Sequence, residues 1–131
     1  MSAILPFSFT LYGQPIQGLS VPIGSSVTWS LASEDPVTRE AFDLTNCTLQ
    51  MSLCALGING APIEPPAATW SGTIEGSAPA GDSTVEWAPT DTSMLTPGSY
   101  ALDYWITDTD GDRLQIMGTS IISLTSAATL P

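Results

Sequence analysis

Hydrophobic and polar residues alternate with period two along most of this sequence, which is the spacing of a strand with one buried face. In the first half of the chain the alternation is clear over residues 7–11, 27–31 and 47–53. Proline, glycine and Ser/Thr clusters interrupt it about every ten residues, a spacing typical of antiparallel sandwiches and barrels. The pattern therefore predicts an all-β chain, folded as an antiparallel β-sandwich.

The second half of the chain carries the longest alternating pattern, which predicts a β-hairpin turning at residues 108–112, with a bulge or bend at Gly118. Residues 57–68 hold three prolines and two glycines and are predicted to be irregular. Residues 88–95 predict a single helical turn capped by Thr90 or Asp91. The predicted inward set of the hairpin is Tyr100, Leu102, Tyr104, Ile106, Leu114, Ile116, Ile122 and Leu124.

Charge narrows the possible functions. The chain of 131 residues suits one domain, and its 13 acidic and 2 basic side chains give a net charge of −11. Such a chain repels phosphate backbones and anionic lipids, so neither a nucleic acid nor a membrane is an expected partner. Without histidine or lysine, the usual general base, Schiff-base amine and commonest zinc ligand are missing. We expect no enzymatic activity, no cofactor and no metal site.

Two groups of residues could still carry chemistry. Asp108, Asp110 and Asp112 resemble the start of a calcium loop, but Thr119 stands where the closing acid of an EF-hand should be. We interpret these aspartates as a hairpin turn. Cys47 and Cys54 lie seven residues apart in one predicted strand, on opposite faces, so we expect no disulfide between them. Free thiols, with no signal peptide or membrane span in the sequence, favour synthesis and assembly in a reducing cytoplasm over secretion.

Four aromatic residues are candidate interface residues. Trp105 lies between Tyr104 and Ile106, which are predicted to point into the core, so its own side chain should face away from the core. Trp70 lies on a short strand and could face either way. Exposed tryptophans anchor protein interfaces and also stack on sugars. Phe7 and Phe9 lie in a charge-free segment, residues 1–20, that is either an ordinary first strand or an arm that adds to a neighbour's sheet.

The order of three blocks resembles a known family. These are G-x-x-V-x-W-x-L at residues 24–31, D-L-T-x-x-x-x-x-M at 43–51 and L-x-P-G-x-Y-x-x-D at 95–103, followed by the Asp110-Gly111 turn. The arrangement is similar to small immunoglobulin-like virion domains of tailed bacteriophages, over about residues 21–125. Pro97-Gly98 before Tyr100 is similar to the tyrosine corner of such sandwiches.

The resemblance implies an immunoglobulin-like β-sandwich over residues 21–125, with residues 126–131 as a tail. It also implies a structural role in the virion, with other virion proteins as partners and no catalytic residues. On this basis we expect a capsid decoration or cement protein that forms a homo-oligomer. Two alternatives stay open: a baseplate or tail-fibre connector, and a carbohydrate-binding or adhesin module that uses exposed tryptophans.

Overall fold

The structure, a computed structural model, describes residues 4–11, 14–35 and 37–126. Within these ranges the regular secondary structure is almost entirely β-strand, with one short α-helix and one 3-10 turn at Ala78–Ala80. The strands and helix are β1 Ile4–Leu11, β2 Leu19–Pro22, β3 Ser26–Ser33, β4 Thr48–Ala55, β5 Ala68–Ser71, β6 Thr73–Ile74, β7 Asp82–Trp87, α1 Pro89–Thr92, β8 Gly98–Thr107 and β9 Arg113–Thr125.

The strands form two sheets, which confirms the predicted β-sandwich. One sheet has the order β1-β3-β7-β6 and the other the order β2-β9-β8-β4-β5. Most pairings are antiparallel, but β1 runs parallel to β3 and β2 runs parallel to β9. The N-terminal segment thus supplies an edge strand to each sheet in turn. Both sheets are therefore mixed and not purely antiparallel as predicted, because side-chain alternation is the same for either strand direction.

The core lies between the two sheets and is built from the inward positions of the alternating segments. In β3 these are Val27, Trp29 and Leu31, all nearly inaccessible to solvent. Burying side chains of this size stabilises the fold by about 1.5 to 3 kcal/mol each. The polar contact that joins the sheets inside the core is a hydrogen bond of 2.8 Å between the hydroxyls of Ser83 and Tyr104.

Tyr104 makes the stability of the sandwich sensitive to alkaline pH. Burial raises the pKa of its phenol to about 12, while its hydrogen bond with Ser83 acts in the opposite direction. Because the folded state holds this proton more tightly than the unfolded state, stability is complete below about pH 10. Between about pH 10 and 12 we expect a loss of about 2 kcal/mol.

Urea unfolding at a series of pH values measures this loss, and Tyr104→Phe is the matched control because its ring cannot ionise. The variant should start less stable, since Ser83 loses its partner, and its stability should fall less steeply above pH 10. Equal slopes for the two proteins would show that Tyr104 does not control the alkaline transition.

The predicted hairpin is formed by β8 and β9, and it contains the bulge expected near Gly118. Its register shifts twice, between the partners of Leu102 and Tyr104 and between those of Tyr104 and Trp105. The extra residues in β9 bring two consecutive side chains, Ile116 and Met117, into the core. Leu114, expected inside, is 43% exposed because it lies next to the open turn at the start of β9.

The segment before β8 forms the predicted helical turn and tyrosine corner. The helix begins at Pro89, so Thr90 and Asp91 lie inside its first turn and the predicted cap position was wrong. Proline suits the first helical position because the N–H it lacks would have no partner there. The Asp91 carboxylate instead accepts the N–H of Ala88 at 2.7 Å. The Tyr100 hydroxyl donates to the carbonyl of Thr96 at 2.7 Å, which confirms the corner.

Candidate interaction surface

Phe7 and Phe9 lie on β1 with their rings half-buried against the core. The Trp29 ring is 5.1 Å from Phe7 and 6.1 Å from Phe9, between ring centroids. β1 pairs with β3 of its own chain, with Phe7 opposite Trp29. In this structure the segment is thus an edge strand, and the half of each ring that stays accessible lies at the edge of the sandwich.

Trp70 packs against the inside of the domain. Its ring stacks on Trp87 with centroids 4.3 Å apart and planes 13° from parallel. Its indole N–H donates to the Asp91 carboxylate at 2.8 Å, the same group that accepts the N–H of Ala88. One face and the polar edge of Trp70 therefore already have partners, which does not favour the sugar-stacking hypothesis at this residue.

Trp105 faces outward from β8, as its parity predicted, and is half-buried. The guanidinium of Arg113, across the hairpin, lies 4.7 Å from its ring centroid. Such a cation–π contact contributes about 0.5 to 1 kcal/mol at an exposed site. Because Arg113 covers part of the ring, a sugar or a protein partner would have only the remaining surface of Trp105 to contact.

The aspartate turn is held together by hydrogen bonds from backbone N–H groups to the side chain of Asp108. Asp108 accepts the N–H groups of Asp110 and Asp112 through one carboxylate oxygen, both at 2.9 Å. All three carboxylates are exposed and their oxygens lie within 4.8 Å of one another. Since exposed acidic clusters of this kind occur without a bound ion, the geometry fits the interpretation as a turn.

The two cysteines are both free, Cys47 half-buried and Cys54 buried. Burial raises the pKa of each thiol, and nearby carboxylates, Asp108 for Cys47 and Glu64 for Cys54, add to the effect. A thiol with a raised pKa stays protonated near neutral pH, but only the deprotonated thiolate acts as a nucleophile or binds a metal. Neither cysteine is therefore suited to nucleophilic chemistry.

Charge is distributed unevenly over the sandwich. No Asp, Glu, Lys or Arg precedes Glu34 or follows Arg113 in the sequence. β1 and β3 are neighbours at one edge of the first sheet, and β2 and β9 at one edge of the second. We call β1, β2, β3 and residues 114–125 of β9 the neutral side. At the opposite edges of the two sheets, β5 and β6 are joined by Gly72 alone, so the two charge-free edges lie on the same side of the domain.

Comparison with solved structures identifies a phage domain of the same fold. The N-terminal domain of phage TP901-1 ORF48 matches with a TM-score of 0.57 over 95% of this chain and 99% of that chain, at 9% sequence identity. At that identity the match shows the fold alone. CopC from Methylosinus trichosporium OB3b aligns over 63% of this chain and 67% of its own, with 17% identity and a TM-score of 0.35, too low to support an argument.

Sequence comparison gives no relative: no protein-family model and no curated protein matches the chain. Among the described residues, no helix is long and apolar enough to cross a membrane. The fold and the surface therefore carry the functional argument.

Proposed function

We propose that this chain is a structural component of a phage virion and acts through protein–protein contacts. The observation that carries the proposal is the match of the whole domain, nearly end to end in both chains, to a domain of a phage protein. The tyrosine corner at Tyr100 and the aspartate turn at the β8–β9 hairpin agree with the virion-domain resemblance of the sequence blocks. The weakly charged surface, with 11% charged residues, suits a protein that packs against neighbours.

Within the virion, a connector in the tail or baseplate is the position that we favour. The matching structure is the N-terminal domain of its protein, so in that protein the same fold is followed by further sequence. In this chain the sandwich takes up nearly all of the matched length, so a connector role would use two different surfaces of the one domain. Capsid decoration is the second candidate, because a sandwich with a neutral side can also pack on a head surface.

Mass spectrometry of purified virions, with heads separated from tails, tests both statements. We expect peptides of this chain in the tail fraction of the phage that encodes it, at a copy number matching a structural component. Peptides found only in the head fraction would contradict the connector role and support capsid decoration instead. Absence from both fractions, with the chain present in infected cells, would overturn the virion proposal itself.

A further inference from the structure

The outer edge of β1 carries backbone groups that the fold leaves available. Among the described residues, β1 is paired only with β3. The Leu11 carbonyl accepts the N–H of Glu34, which follows β3, at 2.9 Å, so the backbone groups of Leu11 point towards β3. These directions alternate along a strand. The backbone N–H and carbonyl groups of Phe7 and Phe9 therefore also point towards β3, and those of Ser8 and Thr10 point away from it.

This edge has little protection against another strand. Natural edge strands are usually short, bulged, covered or charged. β1 has 8 residues and no charged side chain. Its one protective residue is Pro6. The backbone groups of Pro6 point away from β3, like those of Ser8 two residues later, so the N–H that proline lacks is missing from the outer edge. The outward N–H and carbonyl groups of Ser8 and Thr10 remain able to pair with an extended strand.

The charge distribution indicates which strand fits this edge. Two copies of a chain with net charge −11 repel each other across their acidic surfaces, whereas a basic partner would be drawn to those surfaces. The neutral side, with β1 at its edge, is where two copies can approach without placing carboxylates opposite each other. Two acids, Glu75 and Asp82, line a surface pocket together with Ser8 and Thr10, but they belong to the β6–β7 side of the sheet and not to its β1 edge.

We propose that two copies of this chain associate through antiparallel pairing of their β1 strands, which joins the two β1-containing sheets across a two-fold axis. In the register that avoids Pro6, Ser8 of each copy lies opposite Thr10 of the other and exchanges both backbone hydrogen bonds with it. Phe9 then lies beside the axis and faces its own counterpart. The accessible parts of the Phe7 and Phe9 rings would be covered by the second copy.

Concentration-dependent amide exchange and sedimentation equilibrium test this pairing on the full chain. We expect a dimer at high protein concentration, in which the amides of Ser8 and Thr10 become protected from exchange. The amides of Phe7 and Phe9 are the internal control, because they face β3 and should be equally protected in monomer and dimer. This inference rests on charge and edge geometry, and does not depend on a place in a virion.

Charge variants then test the register. Ser8→Glu/Thr10→Glu places like charges opposite each other and should raise the dimer dissociation constant by at least about tenfold. Ser8→Lys/Thr10→Glu places opposite charges there and should dimerise more tightly than the double-glutamate variant. Ser71→Glu/Thr73→Glu, which adds the same charge at two exposed positions on β5 and β6, should leave dimerisation nearly unchanged.

Circular dichroism spectra matching those of the wild type establish that each variant is folded before association is compared. A wild-type chain that stays monomeric at every concentration would overturn the proposal. So would a dimer in which the Ser8 and Thr10 amides exchange freely, or an equal loss of association in the Ser71→Glu/Thr73→Glu control.

Discussion

Replacing Trp29 with alanine is expected to lower the free energy of unfolding by about 3 to 5 kcal/mol. Trp29 is fully buried at the centre of its sheet, with its ring centroid 5.1 Å from Phe7 and 5.2 Å from Trp87. Trp87 in turn stacks on Trp70. Removing the indole would leave a cavity in the middle of a continuous row of rings that runs from the edge strand β1 across to β5.

Urea denaturation followed by far-ultraviolet circular dichroism measures the loss, with Trp105→Ala as the matched control. The control removes the same side chain from a half-buried outward position, and its cost should be about 1 to 2 kcal/mol. Trp29→Phe keeps a ring in the row and should retain much of the stability that alanine loses. If Trp29→Ala cost no more than Trp105→Ala, Trp29 would not be the centre of the core.

Replacing Gly81 with alanine is expected to cost about 2 to 5 kcal/mol, for two separate reasons. Its φ of +78° lies in the left-handed region, which a side chain disfavours. An added Cβ would also stand 2.5 Å from the carbonyl oxygen of Ser33 and 3.0 Å from that of Phe42. Ser33 cannot simply move away, because its N–H donates to the Gly81 carbonyl and its own carbonyl accepts the N–H of Phe42.

Gly60→Ala separates the two reasons. Gly60 has the same φ of +78°, but nothing lies within 4 Å of the position that its Cβ would take. Its replacement should cost only the backbone term, about 1 to 2 kcal/mol. Thermal unfolding of the two variants in parallel measures the difference. If the two variants lost the same stability, the close approach of Gly81 to the end of β3 would not contribute to the cost of adding a side chain.

The fold was largely predictable because its strongest signals are local. The alternation in β3, β4 and β8 placed the core residues correctly, and the spacing from Pro97 to Tyr100 predicted the tyrosine corner. What the alternation could not give is pairing direction. The parallel pairs β1–β3 and β2–β9 join segments far apart in sequence, and residues on two parallel strands have the same alternation as residues on two antiparallel ones.

The candidate surface was less predictable, because exposure depends on distant contacts. Parity alone gave the outward direction of Trp105, but not the Arg113 guanidinium over its ring. Trp70, a candidate for outside contacts, stacks inside on Trp87, whose position depends on the packing of β5 and β7. Phe7 and Phe9 lie at an edge and contact Trp29, so they serve the core and can also be covered by a neighbour. Their role in an interface stays a prediction.

The parallel pairing of β2 with β9 determines how the domain responds to mechanical load. Leu19 lies opposite Ile122 and Pro22 opposite Thr125, so the two strands run side by side in the same direction. A force that pulls on the chain before Leu19 and after Thr125 acts along this ladder and strains its hydrogen bonds together, in shear. Forced unfolding is governed by the unfolding barrier rather than by equilibrium stability. A pull between Leu19 and Thr125 is therefore opposed by all the hydrogen bonds of this ladder at once.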